Sequence, residues 1–188
     1  MRYGIDIFSG AGGLSLGAEM AGIKISTFFE IDPHAAKTFL QNNKGAKVLQ
    51  GDIQEIEPQT LHNDKKPVFV IMGGPPCQGF SLSNTRTRNM DSKKNFLFLE
   101  LVRFVKEFRP EWFVLVNDLG ITNINEGKTQ MMIEDCFRAI ERLRQYFFIN
   151  SLALRLWCSP KMNRFFMVGN RLGVDFKFPE KHTVRVWQ

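Results

Sequence analysis

One loop of the sequence could present a reactive thiol. Cys77 lies in the run Gly73-Gly74-Pro75-Pro76-Cys77-Gln78-Gly79-Phe80-Ser81, which follows an apolar segment and is too rich in glycine and proline for the interior of a strand or helix. A thiolate is a strong nucleophile, and the prolines limit the motion of the loop that carries it. A lone cysteine is more often inert, which is our interpretation of Cys136, and Cys158 has no evident partner. The setting of Cys77 therefore indicates nucleophilic chemistry.

Three further places carry residue types suited to a ligand. The glycines of Asp6-Ile7-Phe8-Ser9-Gly10-Ala11-Gly12-Gly13 allow a tight turn, and the helix start after them could hold a carboxylate or phosphate. The Gly-x-Gly-Gly spacing differs from the Gly-x-Gly-x-x-Gly of dinucleotide-binding folds. Glu30, about 20 residues on, could accept hydrogen bonds from ribose hydroxyls. Asp52 and Ile53 place a hydrogen-bond acceptor beside an apolar side chain, which would suit a flat ring that carries an amino group. Each acid alone would more often be a surface residue, but together they indicate a nucleoside-bearing cofactor.

The elements that must position these residues alternate along the chain. Apolar runs of strand length alternate with segments of helical period, the pattern of a mostly parallel sheet with helices on both faces. Ligands bind beyond the carboxyl ends of such strands, where all four places fall. We predict an α/β, doubly wound fold in one domain over residues 1–188. The predicted strands are 3–8, 24–30, 67–72, 112–116, 147–157 and 164–169, with a strand end or turn at 51–53; the predicted helices are 14–20, one that opens at Pro33, 98–108 before Pro110, and 131–146.

Length and composition exclude several classes of protein. The 188 residues are 44% hydrophobic and 23% charged, which excludes disorder as the main state. No apolar run approaches the roughly 20 residues that a membrane helix needs, and Asp6 stands where a secretory signal would be apolar. Three widely spaced cysteines offer neither a disulfide framework nor a zinc site. We therefore expect a cytoplasmic or nucleoid-associated protein without a metal. The net charge of +6 permits an anionic partner without identifying one.

Taken in order, these motifs resemble those of the cytosine-5 DNA methyltransferases. Residues 6–13 look like the family's S-adenosylmethionine loop, and residues 74–81 look like its nucleophile loop. Glu30 with Ile31, and Asp52 with Ile53, are similar to its ribose and adenine contacts. The run Asn95-Phe96-Leu97-Phe98-Leu99-Glu100, with Arg103, is similar to its next block. The resemblance covers residues 3–121 and implies a Rossmann-like, S-adenosylmethionine-dependent methyltransferase fold.

The resemblance also implies roles for individual residues. It implies S-adenosylmethionine as cofactor, S-adenosylhomocysteine as its product and double-stranded DNA as substrate. Cys77 would add to carbon 6 of a flipped-out cytosine, so that carbon 5 can attack the methyl group. Basic residues after this loop could hold DNA phosphates, or could belong to a solvated loop: Arg86, Arg88, Lys93 and Lys94. The implied cofactor residues are Asp6, Phe8, Gly10, Gly12, Gly13, Leu14, Glu30, Ile31, Asp52, Ile53, Pro75 and Leu97; the implied catalytic residues are Cys77, Pro76, Gln78, Asn117 and Arg164.

The sequence departs from the family pattern in three places. Val116 replaces the glutamate of the family's Glu-Asn-Val motif, and Asp118 would share its face of the strand roughly 7 Å further along. The family's Gln-x-Arg-x-Arg block is reduced to Pro160-Lys161-Met162-Asn163-Arg164, in which Arg164 matches the second arginine and the first has no clear counterpart. The family also continues into a target-recognition domain and a final segment that this sequence does not reach.

These departures leave three interpretations. Loss of a hydrogen-bonding group at the reacting ring costs about a hundredfold in rate, so weak or absent activity is expected. The leading interpretation is a truncated or split-subunit methyltransferase of the restriction-modification type, whose partner subunit supplies target recognition. The alternatives are a catalytically impaired homologue that binds cofactor or DNA as a regulatory partner, and an RNA cytosine-5 methyltransferase.

Overall fold

Seven strands form one sheet in the described part of the chain. The computed structural model describes residues 1–43, 45, 47–64, 67–76, 96–118, 121, 128–140, 145–151 and 164–178. The strands are β1 (Arg2–Ile7), β2 (Ile23–Glu30), β3 (Lys47–Gln50), β4 (Val68–Gly73), β5 (Trp112–Asp118), β6 (Gln145–Ser151) and β7 (Arg164–Asn170). Their order in the sheet is β3-β2-β1-β4-β5-β7-β6. β7 is antiparallel to both neighbours and the remaining pairs are parallel, which confirms the predicted mostly parallel α/β fold.

Helices cover both faces of this sheet. They are α1 (Gly13–Met20), α2 (Pro33–Asn42), α3 (Phe98–Phe108) and α4 (Lys128–Arg138), with 3-10 helices at Ile53–Glu55 and Pro58–Asp64. On one face, Phe39 of α2 stacks on Phe28 of β2 with ring centroids 3.5 Å apart. On the other, Phe137 of α4 stacks on Phe113 of β5 at 4.2 Å. These two apolar clusters confirm the doubly wound arrangement. Among the described helices, none is long and apolar enough to cross a membrane.

The strand order places a crevice at the centre of the sheet. From β1 the chain moves outward through β2 to β3, and it then returns to the other side of β1 as β4. The segments that leave β1 and β4 therefore diverge at their carboxyl ends. This reversal of order is where open α/β sheets bind ligands.

Local signals account for the bounds of the helices next to the crevice. Pro33 occupies the first turn of α2, and the Asp32 carboxylate accepts a hydrogen bond from the N–H of His34 at 2.8 Å, as an N-cap does. α3 ends at Phe108, and the capping residue after it, Arg109, has a left-handed φ of 46° and precedes Pro110. The predicted start of α2 and end of α3 are both confirmed.

Three predicted elements differ from the structure. The predicted helix over 131–146 ends at Arg138, because residues 145–151 pair antiparallel with β7 as β6. Aromatic and β-branched residues in this segment favour a strand, and tertiary pairing prevails over helical period. The predicted strand over 147–157 thus starts at Gln145, and residues 152–157 lie outside the described residues. At the sheet edge, the strand lies at Lys47–Gln50, just before the predicted 51–53.

Gly73, at the end of β4, lies too close to β1 for any side chain. A Cβ at this position would lie 2.4 Å from the carbonyl oxygen of Ile7, a backbone atom that cannot rotate away. We expect Gly73→Ala to lower the free energy of unfolding by about 1–3 kcal/mol, the usual cost of overpacking. Gly17→Ala is the control, because Gly17 faces open space on α1, and it should be stabilising by up to about 1 kcal/mol. Urea unfolding measures both, and a Gly73→Ala protein as stable as wild type would contradict the close approach.

Candidate active site

A cleft of about 520 Å³ opens at the carboxyl edge of the sheet. Its walls come from the ends of β1, β2 and β4, the segment after β3 and the start of α3. Its residues are Phe8, Phe29, Glu30, Ile31, Gly51, Asp52, Ile53, Gln54, Gly74, Pro76 and Leu97. Apolar walls with a few polar groups are typical of small-molecule sites of this volume. Within the described ranges, no three His, Cys, Asp or Glu side chains are grouped so that they could hold a metal ion.

Much of the predicted cofactor set lines this cleft. Lining residues that the sequence predicted are Phe8, Glu30, Ile31, Asp52, Ile53 and Leu97, together with Pro76 of the predicted catalytic set. The prediction omits Phe29, Gly51, Gln54 and Gly74. Each of these four adjoins a predicted residue in the sequence, and that adjacency is the signal that could have identified them.

The turn after β1 has a left-handed backbone at three positions. Phe8, Gly10 and Gly12 have φ angles of 62°, 55° and 97°. Gly12 also needs to lack a side chain, since a Cβ there would lie 2.8 Å from the Phe39 ring, whereas the space beside Gly10 and Gly13 is open. A positive φ is strained for a bulky residue such as Phe8, and such strain concentrates at ligand sites.

The same turn is anchored on both sides. Ser9 ties it to β2, because its N–H and its hydroxyl both donate to the carbonyl oxygen of Phe29 at 3.0 Å. Leu14, in the first turn of α1, packs against the apolar cluster around Phe28 and Phe39. Leu14 therefore helps to seat α1 on the sheet and is not among the residues that line the cleft.

The Glu30 carboxylate is oriented by two backbone N–H groups. Gly10 donates to Oε2 at 2.7 Å, and Asp32 donates to Oε1 at 2.8 Å. A carboxylate has about four lone-pair sites, so each oxygen keeps one for a ligand. Two adjacent acceptors of this kind suit the neighbouring hydroxyls of a ribose.

Asp52 and Ile53 present an acceptor beside an apolar wall. Oδ1 of Asp52 caps the short 3-10 helix by accepting from the N–H of Gln54 at 3.0 Å, and no described residue donates to Oδ2. Ile53 is buried among the core residues that include Phe98 and Leu101, and it also lines the cleft. This arrangement suits a flat ring that carries an amino group.

Asp6 lies behind the cleft and is fully buried. Its Oδ2 accepts a hydrogen bond from the Ser15 hydroxyl of α1 at 2.5 Å, and its Oδ1 has no partner among the described residues. Burial raises the pKa of Asp6 to about 7, opposed by the Ser15 hydrogen bond and assisted by the charge of Glu30. Asp6 is not a lining residue; with Ser15 it joins β1 to α1 across the glycine turn.

The buried Asp6 should make stability depend on pH. Because its pKa rises from 3.8 to about 7 on folding, the folded protein holds an extra proton between those values. The stabilising contribution is therefore complete below about pH 4 and is lost as pH rises through about 7. Between about pH 5 and about pH 8, the free energy of unfolding of wild type relative to Asp6→Asn should fall by roughly 2–3 kcal/mol. Urea unfolding of both proteins measures this difference, and an equal difference at both pH values would contradict it.

The described residues that follow β4 form part of the cleft wall. Asn117, buried near the end of β5, donates from Nδ2 to the carbonyl oxygen of Pro75 at 3.1 Å. Pro75 is buried, while Gly74 and Pro76 line the cleft. Asn117 therefore fixes the path of the chain just before Cys77. The predicted residues Cys77, Gln78, Arg86, Arg88, Lys93 and Lys94 lie outside the described residues.

The end of β5 carries Val116 and a nearby ion pair. β5 continues through Asp118, so Asp118 shares the sheet face of Val116, as the alternation of a strand requires. The antiparallel register sets Asp118 opposite Arg164 of β7, and their Oδ2 and Nη1 atoms lie 3.7 Å apart. Both side chains are about half exposed, so this pair contributes little to stability. Arg164, at the start of β7, thus lies opposite the end of β5, the strand that carries Asn117.

Comparison with known proteins supports the resemblance to the cytosine-5 DNA methyltransferases. A sequence model of the C-5 cytosine-specific DNA methylases matches residues 3–153. The chain is 38% identical over 184 residues to Type II methyltransferase M1.HphI of Haemophilus parahaemolyticus, an alignment that covers 95% of this chain and 49% of that protein. It is 34% identical over 186 residues to Type II methyltransferase M.AquIA of Picosynechococcus, covering 94% and 75% of the two chains.

A solved structure agrees with these sequence matches. A DNA modification methyltransferase encoded within an Escherichia coli prophage superposes with a TM-score of 0.74 at 28% identity, covering 94% of this chain and 49% of that one. The chain thus spans about half the length of M1.HphI and of the prophage protein, and three quarters of M.AquIA. The family match covers most of the chain and confirms the resemblance, so the chain belongs to the C-5 cytosine-specific DNA methylase family.

Proposed function

We propose that this chain transfers a methyl group from S-adenosylmethionine to carbon 5 of cytosine in double-stranded DNA, through a covalent adduct with Cys77. One observation carries the proposal. Pro76, which directly precedes Cys77 in the chain, lines the same cleft as Glu30 and Asp52. A nucleoside held by those acids would therefore lie beside the residue that directly precedes the proposed nucleophile in the chain.

The residues of the cleft fit S-adenosylmethionine. Glu30 keeps one acceptor site on each oxygen for the ribose hydroxyls, and Asp52 keeps Oδ2 for the amino group of adenine. Ile53 and Leu97 provide apolar walls for the adenine ring. The open space beside Gly10 and Gly13, at the start of α1, would take the aminocarboxyl end, since helix starts favour carboxylates.

The proposed reaction begins at the sulfur of Cys77. The thiolate forms a bond to carbon 6 of the flipped cytosine, which makes carbon 5 nucleophilic. When bound, S-adenosylmethionine would supply the electrophilic methyl group to which carbon 5 forms its new bond, with S-adenosylhomocysteine as the leaving group. A base then takes the proton from carbon 5, and the bond between Cys77 and carbon 6 breaks. Asn117 holds the start of the nucleophile loop through Pro75, and Gln78 and Arg164 complete the proposed set of catalytic residues.

A second function is favoured by one residue. Val116 stands where the family pattern has a glutamate, and valine cannot hydrogen-bond the target ring. We infer that transfer is slow, by about a hundredfold, if Asp118 does not substitute for that acid. A chain slowed further would act as a regulatory partner that binds the cofactor or DNA without turnover.

Transfer of a tritiated methyl group tests the proposal. The chain is incubated with labelled S-adenosylmethionine and either cytosine-rich duplex DNA or tRNA, alone and with the polypeptide encoded by the neighbouring gene. We expect label in DNA, recovered as 5-methylcytosine. A need for the second polypeptide would identify a subunit that supplies target recognition. Label confined to tRNA would establish an RNA enzyme, and cofactor binding without any transfer would establish the regulatory alternative.

A further inference from the structure

The side chain of Arg103 connects α3 to the short 3-10 helix that follows Asp52. Its Nη2 donates to the carbonyl oxygen of Ile53 at 2.8 Å, and its Nη1 donates to that of Ile56 at 2.8 Å. Its Nε donates to Oε2 of Glu100, one turn earlier on α3, at 2.8 Å. The Arg103 guanidinium is therefore bound on three sides, although it is about one third exposed.

These contacts fix the part of the chain that lines one wall of the cleft. The 3-10 helix Ile53–Glu55 is capped at its start by the Asp52 carboxylate, and the Arg103 guanidinium binds the carbonyl oxygens of its first residue, Ile53, and of Ile56, which follows its last. Because α3 begins beside Leu97, the same helix that holds Arg103 also carries a second wall of the cleft. The distance between the walls at Ile53 and Leu97 therefore depends on this connection.

We propose that Arg103 is a positioning residue for the cofactor, which sets the width and orientation of the slot that takes the adenine ring. The inference rests on the proposed function, because it assumes that Asp52, Ile53 and Leu97 hold that ring. Arg103 is not itself a lining residue, so it acts through the backbone of the 3-10 helix. Lysine cannot replace it, since one ammonium lacks the planar set of donors that reaches two carbonyls and a carboxylate together.

Glu100 belongs to the same group of contacts around Arg103. Its Oε2 lies 2.6 Å from Nη2 of Arg103, and its side chain is only 13% exposed. An ion pair held at this distance limits rotation of the guanidinium, so that Nη1 and Nη2 stay directed at the two carbonyls. Glu100→Gln should therefore weaken cofactor binding in the same direction as a change at Arg103, but less.

Calorimetric binding of S-adenosylhomocysteine to the purified chain tests the proposal. We expect Arg103→Lys and Arg103→Met to raise Kd about tenfold or more, since small displacements of a binding wall have effects of this size. Arg138→Met is the matched control, because Arg138 also lies one turn after a glutamate, Glu134 of α4, and should leave Kd unchanged. The changes in binding free energy caused by Arg103→Met and Asp52→Asn should be non-additive, because both residues act on the same 3-10 helix. The changes caused by Arg103→Met and Glu30→Gln should be additive, because Glu30 is held by other groups.

A second measurement does not need the cofactor. Amide hydrogen exchange of residues 53–56 should accelerate in both Arg103 variants and remain unchanged in Arg138→Met, because the segment loses its anchor. Unchanged exchange and unchanged Kd in both variants would overturn the inference and leave the proposed function intact. A wild-type chain that binds no S-adenosylhomocysteine would overturn the proposed function, and this inference with it.

Discussion

Cys77→Ala is expected to abolish methyl transfer to DNA. The proposed reaction begins with a bond between this sulfur and carbon 6 of cytosine, and this bond is the step that makes carbon 5 nucleophilic. Loss of a covalent nucleophile typically lowers turnover by at least about 10³-fold. Binding of S-adenosylmethionine should stay within about threefold of wild type, because the proposed cofactor contacts come from other residues. Tritium transfer to duplex DNA and calorimetry measure the two effects separately.

Covalent trapping makes the same prediction more specific. Duplex DNA with 5-fluorocytosine at target positions stops the reaction at the adduct, because fluorine at carbon 5 cannot leave as a proton does. Wild type should form a complex that survives denaturing electrophoresis, and so should the control Cys136→Ala. Cys136 packs half-buried beside the core on α4, and burial raises the pKa of its thiol, with the charge of Asp135 adding to the rise. An adduct that persists in Cys77→Ala would remove Cys77 as the nucleophile.

Glu30→Gln should weaken cofactor binding by about a hundredfold, because two hydrogen bonds to a charged acceptor are worth roughly 3 kcal/mol. The amide keeps one oxygen, whereas Gly10 and Asp32 both donate N–H groups to the carboxylate. One of those donors would face an NH₂ group, so the substitution disturbs the glycine turn as well as the ribose site. The Kd for S-adenosylhomocysteine, measured by calorimetry, gives the effect directly.

A control at a similar residue separates this effect from a change in overall charge. Glu19→Gln also removes one negative charge and lies on the exposed side of α1. It should bind S-adenosylhomocysteine as wild type does. A Glu30→Gln protein whose Kd stays within about threefold of wild type would show that Glu30 does not contact the ligand.

The sequence was most informative where a strand ends in a turn. Glu30 and Asp52 are separated by 22 positions in the chain, yet both line one cleft, because parallel strands bring their carboxyl ends to the same edge. Alternation of apolar and polar segments is enough to locate such ends. The glycines of the motif at residues 6–13 likewise predict its left-handed turn, because glycine is the residue that tolerates a positive φ.

Contacts between distant segments could not be predicted in this way. Arg103 bonds to the carbonyl oxygens of Ile53 and Ile56 across 50 and 47 positions, and carbonyl groups carry no side-chain signal in a sequence. Asp6 has the residue type of a ligand contact, but only the packing of α1 on β1 shows that its carboxylate is buried against Ser15. The four-residue strand β3 is too short for its alternation to be recognised.

The positive φ of Phe8 lowers the stability of the fold, while its ring forms part of the cleft wall. A bulky residue with a φ of 62° costs about 1–3 kcal/mol, a cost that glycine at the same position would largely avoid. Glycine would also remove the aromatic ring from the wall of the cleft. Glycine at this position would therefore raise thermal stability but remove a proposed contact with the cofactor. A heat-tolerant variant with this change is expected to bind S-adenosylmethionine more weakly.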